Sequence, residues 1–593
     1  MRILVASLLS MAVILLWAKF FAPKPVIVPQ QQKPAVTSSA SPASEKSATS
    51  AESSSANAAP KNAANSSATT AVSRAAKSDS QEHSVIFEND LYRVEISNRG
   101  AVVKSWQLKK YLDDSKPQKV LDVVHPEAAQ QTGGWPFSLV LDDEQLENAA
   151  NNGLYQVVSH GNAATITGNS AAGAAASVDS LTDAEFSWSD GHLEITKRFH
   201  FDRSYVVRVD TTSTLDGKPV KAGLAWLGGF GDLTVTNPAP AETVITYYSE
   251  NGKISTFEHK KLEGLDKWGR GVWQGGKDFT GIEDRYFSAA FLPGNGPAPG
   301  AVETRYWKTS RPVQFNGQEI QQPVAQVATA SGGQPMSLRV YVGPKDYDAL
   351  KKMNPPLHGL VNFGWLEFIA DPLFHGLKWL HNFIPNWGWA IVVLTLVINM
   401  LLFPLRISSY KTTLKMQRVG PEIKSIQDKY KKYKMNDPRK ADMNKEVMAV
   451  YSREGINPVG GCFQMFLQMP IWFGLNTALR FAIEMRHARW FGWITDLSAR
   501  DPYYVLPLMM GASMYLVSKM TPMTSTDPQQ QMMMKIMPIT MAGIFMISPI
   551  SSGLAVYILT SSVVGIAQQW YLNRQHPVVA PVVAAKPVRG KKS

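Results

Sequence analysis

The chain has 593 residues and carries 60 Lys and Arg against 48 Asp and Glu, a net charge of +12. Its one cysteine, Cys462, excludes an intramolecular disulfide and a cluster of thiolate metal ligands. The positive excess lies in two segments, residues 406–455 with 13 basic and 6 acidic side chains and residues 573–593 with 5 basic and none acidic. A DNA-binding protein more often spreads its basic residues over a folded surface, so we expect no DNA partner. Ribosomal RNA and anionic lipid stay open as partners of both segments.

The N-terminal part of the chain predicts a membrane anchor followed by a tether. Residues 1–22 are almost wholly apolar and fit either a signal peptide or an uncleaved N-terminal transmembrane anchor. Phe20 and Phe21, rather than small residues, precede Ala22, which favours the anchor. Residues 23–82 consist mainly of Ala, Ser, Pro, Gln and Lys and cannot bury a core, so they predict a flexible linker.

From residue 83 to residue 345 the apolar residues alternate with period two. The segment YRVEIS, for example, places Tyr92, Val94 and Ile96 on one face. Many such runs, separated by Gly, Asn and Asp, predict a large antiparallel β-sandwich, which lies in the periplasm if the anchor starts in the cytoplasm. Residues 346–385 are rich in aromatic residues but too polar to span a bilayer, and predict an amphipathic helix at the membrane interface.

Long apolar runs fill the last third of the chain and predict further transmembrane helices, which with the anchor make a six-span α-helical bundle. The two basic segments then face the cytoplasm, as the positive-inside rule requires. Pro421 and Pro438 each predict the start of a helix, so the first basic segment is interpreted as a hairpin of two charged helices. The predicted segments are TM2 at 386–406, a cytoplasmic helical hairpin at 407–456, TM3 at 457–482, a periplasmic loop at 483–502, TM4 at 503–520, a cytoplasmic loop at 521–532, TM5 at 533–550, TM6 at 551–572 and a basic cytoplasmic tail at 573–593.

Polar side chains inside the predicted spans are the main functional signal, because in hydrocarbon they are costly and face a bundle interior or a wet cavity. Two pairs lie four residues apart, hence on one helix face, and a hydroxyl cluster occupies the last span. Singly, each fits hydrogen bonding between helices, whereas together they indicate a hydrated interior. They are Thr395 and Asn399 in TM2, Gln464 and Gln468 in TM3, and Tyr557, Thr560, Ser561 and Ser562 in TM6.

Motifs for enzymatic chemistry are missing from the sequence. No G-x-x-x-x-G-K-[ST], H-E-x-x-H or G-x-S-x-G occurs. We therefore expect neither an enzyme nor a nucleotide-driven machine, and we predict no cofactor, no catalytic residue and no metal site.

Five segments of the C-terminal part resemble, in order, those of the YidC/Oxa/Alb family of membrane protein insertases. They are NWGWAIVVLTLVINMLLFPLR, INPVGGCFQMFLQMPIWFGL, DPYYVLPLMMG, DPQQQMMMKIMPI and SSGLAVYILTSSVVGIAQQW. The anchor, the linker and the β-sandwich, with DRYFSAAFLP and SLRVYVGP as strands, resemble the layout of members from Gram-negative bacteria. The resemblance implies a multi-domain membrane protein with a five-span insertase core and a periplasmic antiparallel β-supersandwich.

The resemblance also implies a function. Five spans would form a hydrophilic groove, open to the cytoplasm and the lipid, that inserts and helps to fold integral inner-membrane proteins, alone or with the Sec translocon. The implied partners are nascent inner-membrane proteins, the Sec translocon and membrane lipids, and the ribosome for the basic tail and the hairpin. The implied groove residues are the polar side chains named above, together with Arg406.

One position departs from the family pattern. Many members carry an arginine in TM2, five residues before the Pro of a Pro-Leu pair, and here that position, before Pro404, is Asn399. Arg406 lies seven residues further on, hence on the same face about two turns nearer the cytoplasm. Our hypothesis is that Arg406 partly substitutes for the missing charge. The alternative is that Arg406 is only a positively charged flank of the span.

Two other functions also fit parts of the pattern. A secondary transporter places polar residues in its spans, but we find no inverted repeat and no Asp or Glu in the spans suited to ion coupling. A sugar-binding or mutarotase-like protein is suggested because the family's β-domain is similar to the galactose mutarotase fold. His192, His200 and His259 are present, but no pattern assembles them into a site with a carboxylate.

Overall fold

The structure is a computed structural model. It describes residues 75–160, 165–167, 182–232, 234, 244–256, 272–294, 301–315, 318–331, 335–361, 363–433, 437–456, 460–521, 528–548 and 550–576. The predicted anchor, most of the predicted linker and most of the predicted tail lie outside these residues.

The N-terminal half of the described chain is the β-domain, which we define as residues 84–344. It contains two short helices, α1 (Pro126–Thr132) and α2 (Glu144–Asn152). Its strands are β1 Ser84–Glu88, β2 Tyr92–Ser97, β3 Val102–Leu112, β4 Val120–Asp122, β5 Ser138–Val140, β6 Gln156–His160, β7 Thr165–Thr167, β8 Thr182–Ser189, β9 Leu193–Phe201, β10 Val206–Leu215, β11 Lys218–Pro219, β12 Gly223–Trp226, β13 Ile245–Glu250, β14 Lys253–Thr256, β15 Gln274–Lys277, β16 Phe279–Glu283, β17 Phe287–Pro293, β18 Val302–Phe315, β19 Gln318–Ser331 and β20 Met336–Pro344.

The described strands form three sheets around one core. Their orders are β4-β3-β2-β1-β7, then β14-β13-β16-β17-β20-β10-β9-β8-β6 with β11 beside β10, and β15-β18-β19-β12-β5. In β2 the side chains of Tyr92, Val94 and Ile96 are buried while the intervening residues are partly exposed, as the period-two pattern predicts. Neighbouring strands run antiparallel, so the predicted antiparallel β-structure is confirmed.

A buried lysine crosses the interior of the β-domain. The Nζ of Lys197 donates to the carbonyl oxygens of Gly100 at 2.8 Å, Ala101 at 3.2 Å and Phe137 at 2.8 Å. Ala101 and Phe137 have left-handed backbones, with φ of 47° and 68°, which L-residues adopt at a cost. Burial lowers the pKa of Lys197 to about 7. The three acceptors match the three donors of the ammonium form, so the lysine links two strained segments of the core.

The C-terminal half of the described chain is helical. Its helices are α3 Tyr347–Lys351, α4 Glu367–Phe383, α5 Trp387–Lys429, α6 Arg439–Arg453, α7 Gly460–Phe481, α8 Val505–Met520, α9 Pro528–Ile547 and α10 Ser552–Gln575. A continuous apolar cluster joins the two halves, from Tyr341 in the β-domain through Phe374 in α4 to Ile391 in α5. By length and composition, one helix of the described part, α5, is long and apolar enough to cross a membrane, and Val505–Met520 and Ile536–Ile547 are shorter apolar helices.

Helix α5 is longer than the sequence predicts. It has 43 residues and continues through both Pro404 and Pro421, so the prediction that Pro421 starts a new helix is wrong. At 1.5 Å per residue it is about 64 Å long, roughly twice the hydrocarbon thickness of a bilayer. Apolar packing explains the continuity, because side chains on both sides of Pro421 are buried against α6 and the segment that follows it. They are Val419 and Ile423, which pack with Val450 and Ile456.

Candidate functional site

Three helices, α5, α7 and α10, pack together and build the candidate site. Asn386 caps the start of α5 by accepting a hydrogen bond from the backbone N–H of Trp389 at 3.1 Å. Ile391, Leu394, Thr395 and Ile398 then form a buried stripe at helical spacing. Helix α10 begins with a buried apolar run from Leu554 to Leu559, and beyond these runs the facing side chains of the two helices become polar.

The polar side chains beyond these runs surround a cavity of about 210 Å³. The cavity has room for several water molecules, and polar groups in its wall can hydrogen-bond them. Its lining residues are Asn399, Leu402, Arg406, Gln468, Ser561 and Gln568.

Two rungs of side-chain hydrogen bonds join α5 to α10. Asn399 Nδ2 lies 3.4 Å from Ser561 Oγ, and Arg406 Nη1 lies 2.9 Å from Gln568 Oε1. The two residues of each pair are 162 positions apart in sequence. Moving seven residues along α5 therefore corresponds to moving seven residues along α10 in the same direction, so the two helices run parallel. Seven residues make about two helical turns, which brings each helix back to the same face. We call these two pairs the upper rung (Asn399 and Ser561) and the lower rung (Arg406 and Gln568).

Arg406 is held by neutral groups. Besides Gln568, its Nη2 donates to the carbonyl oxygen of Gly565 at 3.2 Å. Among the described residues no carboxylate forms an ion pair with its guanidinium. An arginine side chain stays protonated in proteins, so the lower rung brings an uncompensated positive charge to the cavity wall.

The remaining contacts fix the cavity wall. The side-chain amide of Gln568 donates from Nε2 to the carbonyl oxygen of Asn399 at 3.2 Å, which links the two rungs. Asn399 also donates to the carbonyl oxygen of Thr395 at 2.8 Å. From α7, Gln468 Nε2 lies 3.2 Å from the hydroxyl of Tyr557, which is itself buried in α10.

The structure brings together some of the predicted groove residues and separates others. Asn399, Arg406, Gln468 and Ser561 line one cavity. Thr395 is buried and its hydroxyl donates to the Ile391 carbonyl of its own helix at 2.6 Å, and it is not among the lining residues of the cavity. Tyr557 reaches the wall through Gln468, and half-buried Thr560 and Ser562 lie outside the lining. Gln464 lies in α7, and its side chain is outside the described part of the chain.

Gln568 was not among the groove residues predicted from the sequence. A signal for it exists, since Gln568 follows Ser561 by seven residues in an otherwise apolar stretch, the same spacing that separates Asn399 from Arg406. Comparing the spacing in both helices would have indicated the second rung.

A separate polar cluster joins the β-domain to residues 483–502. The guanidinium of Arg486 forms an ion pair with Asp232 of the β-domain, and the two side chains are 3% and 2% exposed. Arg486 also lies 5.3 Å from the ring centre of Phe287 and 3.8 Å from Asp114 Oδ1. The neighbouring His487 lies 2.6 Å from the same Asp114 oxygen. This network fixes the segment between α7 and α8 against the β-domain.

The same cluster contains three potential metal ligands. Within the described residues, Asp114, His487 and Asp496 bring three potential ligand atoms within 4.8 Å of one another. Arg486 lies 3.8 Å from the Asp114 oxygen that would bind the ion, so a cationic side chain is already within ion-pair distance of this carboxylate and would repel a metal ion. The arrangement is therefore an ion-pair network.

The β-domain offers little for sugar chemistry of the mutarotase kind. A cavity of about 720 Å³ lies on this domain, and His125 is the one histidine among its described lining residues. Burial lowers the pKa of His125 to about 4, and its Nε2 lies 2.7 Å from the carbonyl oxygen of Gly231. His192 and His200 pair elsewhere with Asp216 at 2.8 Å and Asp183 at 2.7 Å, and His259 lies outside the described residues.

Two family models match this chain and indicate its class of protein. A family model described as 60Kd inner membrane protein matches residues 379–578, and one described as YidC periplasmic domain matches residues 84–376. The chain is thus an inner-membrane protein with a periplasmic domain.

Individual relatives of this chain are membrane protein insertases. The membrane protein insertase YidC of Citrifermentans bemidjiense is 33% identical over 578 residues, covering 97% of this chain and 99% of that protein. The YidC of Aromatoleum aromaticum is 35% identical over 362 residues, covering 61% of this chain and 60% of that protein. A crystal structure of an active YidC insertase covers 84% of this chain and 95% of its own at 17% identity, with a TM-score of 0.34.

This chain belongs to the YidC family of membrane protein insertases. Membrane protein insertion is accordingly its function, as the sequence motifs predicted, and the family is not one of enzymes. The comparisons do not favour the transporter or the mutarotase-like alternative.

Proposed function

We propose that the chain inserts its clients through the polar groove formed by the two rungs and Gln468. The observation that carries the proposal is the guanidinium of Arg406, which lines a polar cavity and forms no ion pair with any carboxylate in the described part of the chain. A charge inside a membrane bundle is costly and persists where it faces a wet cavity or a binding partner.

The groove lowers the barrier to moving a hydrophilic segment across the bilayer. Each backbone polar group that enters hydrocarbon without a partner costs several kcal/mol. In the groove, the amides of Asn399 and Gln468, the hydroxyl of Ser561 and the water they bind offer partners instead. The client's apolar segment remains in the lipid beside the helices. The segment that must be translocated therefore crosses a shorter stretch of hydrocarbon.

We propose that Arg406 takes the place of the groove arginine that the family often carries at the position of Asn399. The two rungs support this, because both positions of α5 face α10 in the same register. A charge on the lower rung stays in the groove but lies about 10 Å further along the helix. An acidic client segment would meet the charge earlier on its way from the cytoplasm.

The proposed topology has six spans, with both termini in the cytoplasm. The anchor at 1–22 leads through the linker at 23–82 to the β-domain, and the five core spans begin at residue 386. The parallel course of α5 and α10 supports this order, because three spans between them return the chain to the same direction. The basic segments 407–456 and 573–593 then face the cytoplasm.

The proposed partners are lipids, the Sec translocon and the ribosome, besides nascent clients. The exposed aromatic face of α4 supports contact with the membrane interface, where such rings bury their apolar surface. It is formed by Phe368, Trp379 and Phe383. The exposed basic residues of the hairpin support contact with ribosomal RNA.

The test is depletion of the protein in its host, followed by protease protection of small one-span and two-span membrane proteins. Loss of translocated tails on depletion, and their recovery with the wild-type gene, is the expected result. Normal insertion with a changed solute gradient or envelope sugar content would contradict the proposal.

Variants then test the charge. Arg406→Met should reduce insertion of clients with acidic tails, and the double change Asn399→Arg with Arg406→Met should restore it from the upper rung. Arg418→Met, which replaces an exposed arginine further along α5, is the matched control and should not change the insertion of acidic-tailed clients relative to neutral-tailed ones. If neither Arg406→Met nor Asn399→Arg alters insertion, charge in the groove is irrelevant in this protein.

A further inference from the structure

We infer that Gln568 is a positioning residue of the groove, which holds the Arg406 guanidinium toward the cavity without neutralising it and so sets the preference for acidic client segments. The inference rests on the proposed function of the groove. Gln568 is itself neutral, so its proposed role is to position a charged side chain.

The hydrogen bonds of Gln568 define its orientation. Its Oε1 accepts from Arg406 Nη1 at 2.9 Å and its Nε2 donates to the Asn399 carbonyl at 3.2 Å. A guanidinium only donates and a carbonyl oxygen only accepts, so the amide cannot be flipped without losing both bonds. One side chain of α10 therefore contacts α5 on both rungs.

The contacted part of α5 is weakened by a proline. Pro404 lacks the N–H that would bond to the carbonyl of Met400, and its ring disturbs the preceding turn. Arg406 follows this turn and Asn399 precedes it. Gln568 bridges the two ends of the weakened segment, so it limits how far Arg406 can swing away from α10.

The chemistry of the acceptors explains why the charge stays available. A carboxylate at this place would form an ion pair and cancel most of the field of Arg406. The carboxamide of Gln568 and the carbonyl of Gly565 fix the guanidinium through neutral acceptors instead. An acidic client side chain can then supply the missing negative charge.

The competing interpretation is that Gln568 only holds two helices together, as many polar residues in membrane bundles do. The two roles differ in what they affect. A purely structural contact supports insertion of every client equally, whereas a positioning residue acts through Arg406 and matters for acidic tails.

The experiment uses the full-length protein in reconstituted vesicles and a pair of one-span clients. The clients are identical except that the translocated tail carries two Asp or two Asn residues. The variants are Gln568→Met, which keeps the length and removes both hydrogen bonds, and Gln568→Glu, which keeps an acceptor and adds a charge. Gln569→Met is the matched control, because this neighbouring glutamine pairs with Asn573 and does not line the cavity.

Gln568→Met should lower insertion of the Asp-tailed client about ten- to a hundredfold, the change that corresponds to the loss of one hydrogen bond to a charged group. The Asn-tailed client should be inserted at the wild-type level, which also shows that the variant is folded. Gln568→Glu should lose the Asp preference while it retains insertion of the Asn-tailed client. Gln569→Met should leave the Asp-to-Asn ratio unchanged.

The same changes made in the Arg406→Met variant distinguish a wrong role for Gln568 from a wrong role for the charge of Arg406. If Gln568 acts through Arg406, adding Gln568→Met to Arg406→Met has no further effect on the ratio. An equal loss for both clients, or a full effect in the Arg406→Met background, overturns the role of Gln568 alone. If Arg406→Met by itself leaves the ratio unchanged, the proposed groove charge fails and the positioning role fails with it.

Discussion

Replacing Arg486 by methionine should loosen the contact between the β-domain and residues 483–502. Its ion pair with Asp232 is almost completely buried, at 3% and 2% exposure of the two side chains. Removal of one partner from a buried pair leaves the other charge without compensation, at a cost of about 3–5 kcal/mol. The Asp232 carboxylate would keep its hydrogen bonds from Thr234, at 2.8 Å to the N–H and 2.6 Å to the hydroxyl, and lose its cation.

Hydrogen exchange of the full-length protein in detergent measures the loss of stability as a faster exchange rate of the backbone amides in residues 483–502. Residues 483–502 are held by local backbone hydrogen bonds such as Leu497 N–H to the Ala488 carbonyl at 3.0 Å. Their exchange requires local opening, whose free energy the variant lowers. Since 1.4 kcal/mol corresponds to a factor of ten, exchange of this segment should accelerate about a hundredfold or more.

The control and a rescue make the result decisive. Arg489→Met removes an exposed arginine from the same segment and should change exchange less than about twofold. The double variant Arg486→Met with Asp232→Leu should recover most of the protection, because an apolar pair often replaces a buried ion pair without loss. If Arg486→Met behaves like Arg489→Met, the pair contributes no more than an exposed one, and the reasoning from burial is refuted.

Further predictions concern the interior of both halves, each measured by thermal unfolding of the full chain. Lys197→Met should lower the unfolding free energy by about 3 kcal/mol or more, because each buried carbonyl left without a donor costs about 1–3 kcal/mol. Burial lowers the pKa of Lys197 to about 7 in the folded state, below about 10.4 in the unfolded state. The unfolded chain therefore binds the extra proton between these values, so stability should rise with pH there by at most about 1.4 kcal/mol per unit, and this slope should vanish in Lys197→Met. Gly388→Ala should cost about 1–3 kcal/mol, because the added Cβ overlaps the indole of Trp490, and no loss would mean that this indole moves freely. Tyr557→Phe removes the hydroxyl that Gln468 contacts and should cost only about 0.6 kcal/mol, so a loss above about 2 kcal/mol would contradict a single inter-helix hydrogen bond.

Short-range periodicity made the largest features of the protein predictable. Alternation of apolar residues in β2 predicted a half-buried strand, because side chains of a strand alternate between two faces. Spacing along the spans predicted that Asn399 and Gln468 face an interior, the hydroxyl cluster of the last span added Ser561, and these three residues line one cavity. Such patterns depend only on the geometry of a single helix or strand, so the sequence of that segment is sufficient to predict them.

Local periodicity could not predict contacts between different helices and strands. Pro421 carries a local signal for a helix start, but apolar packing against α6 holds α5 continuous through it. Thr395 has the right spacing for the groove, yet its hydroxyl bonds to its own helix. The pair of Arg486 and Asp232 joins residues 254 apart in sequence, so no local rule connects them.

The register between α5 and α10 supports the proposal that the charge of the groove can lie at either of two positions on α5. Both rungs join residues separated by 162 positions, and each rung faces the same cavity. A side chain of α5 therefore meets a neutral polar side chain of α10 at either rung. An arginine on the upper rung would face Ser561, and on the lower rung it faces Gln568. If clients pass through this groove as proposed, the depth at which they meet the charge follows from the rung that carries it.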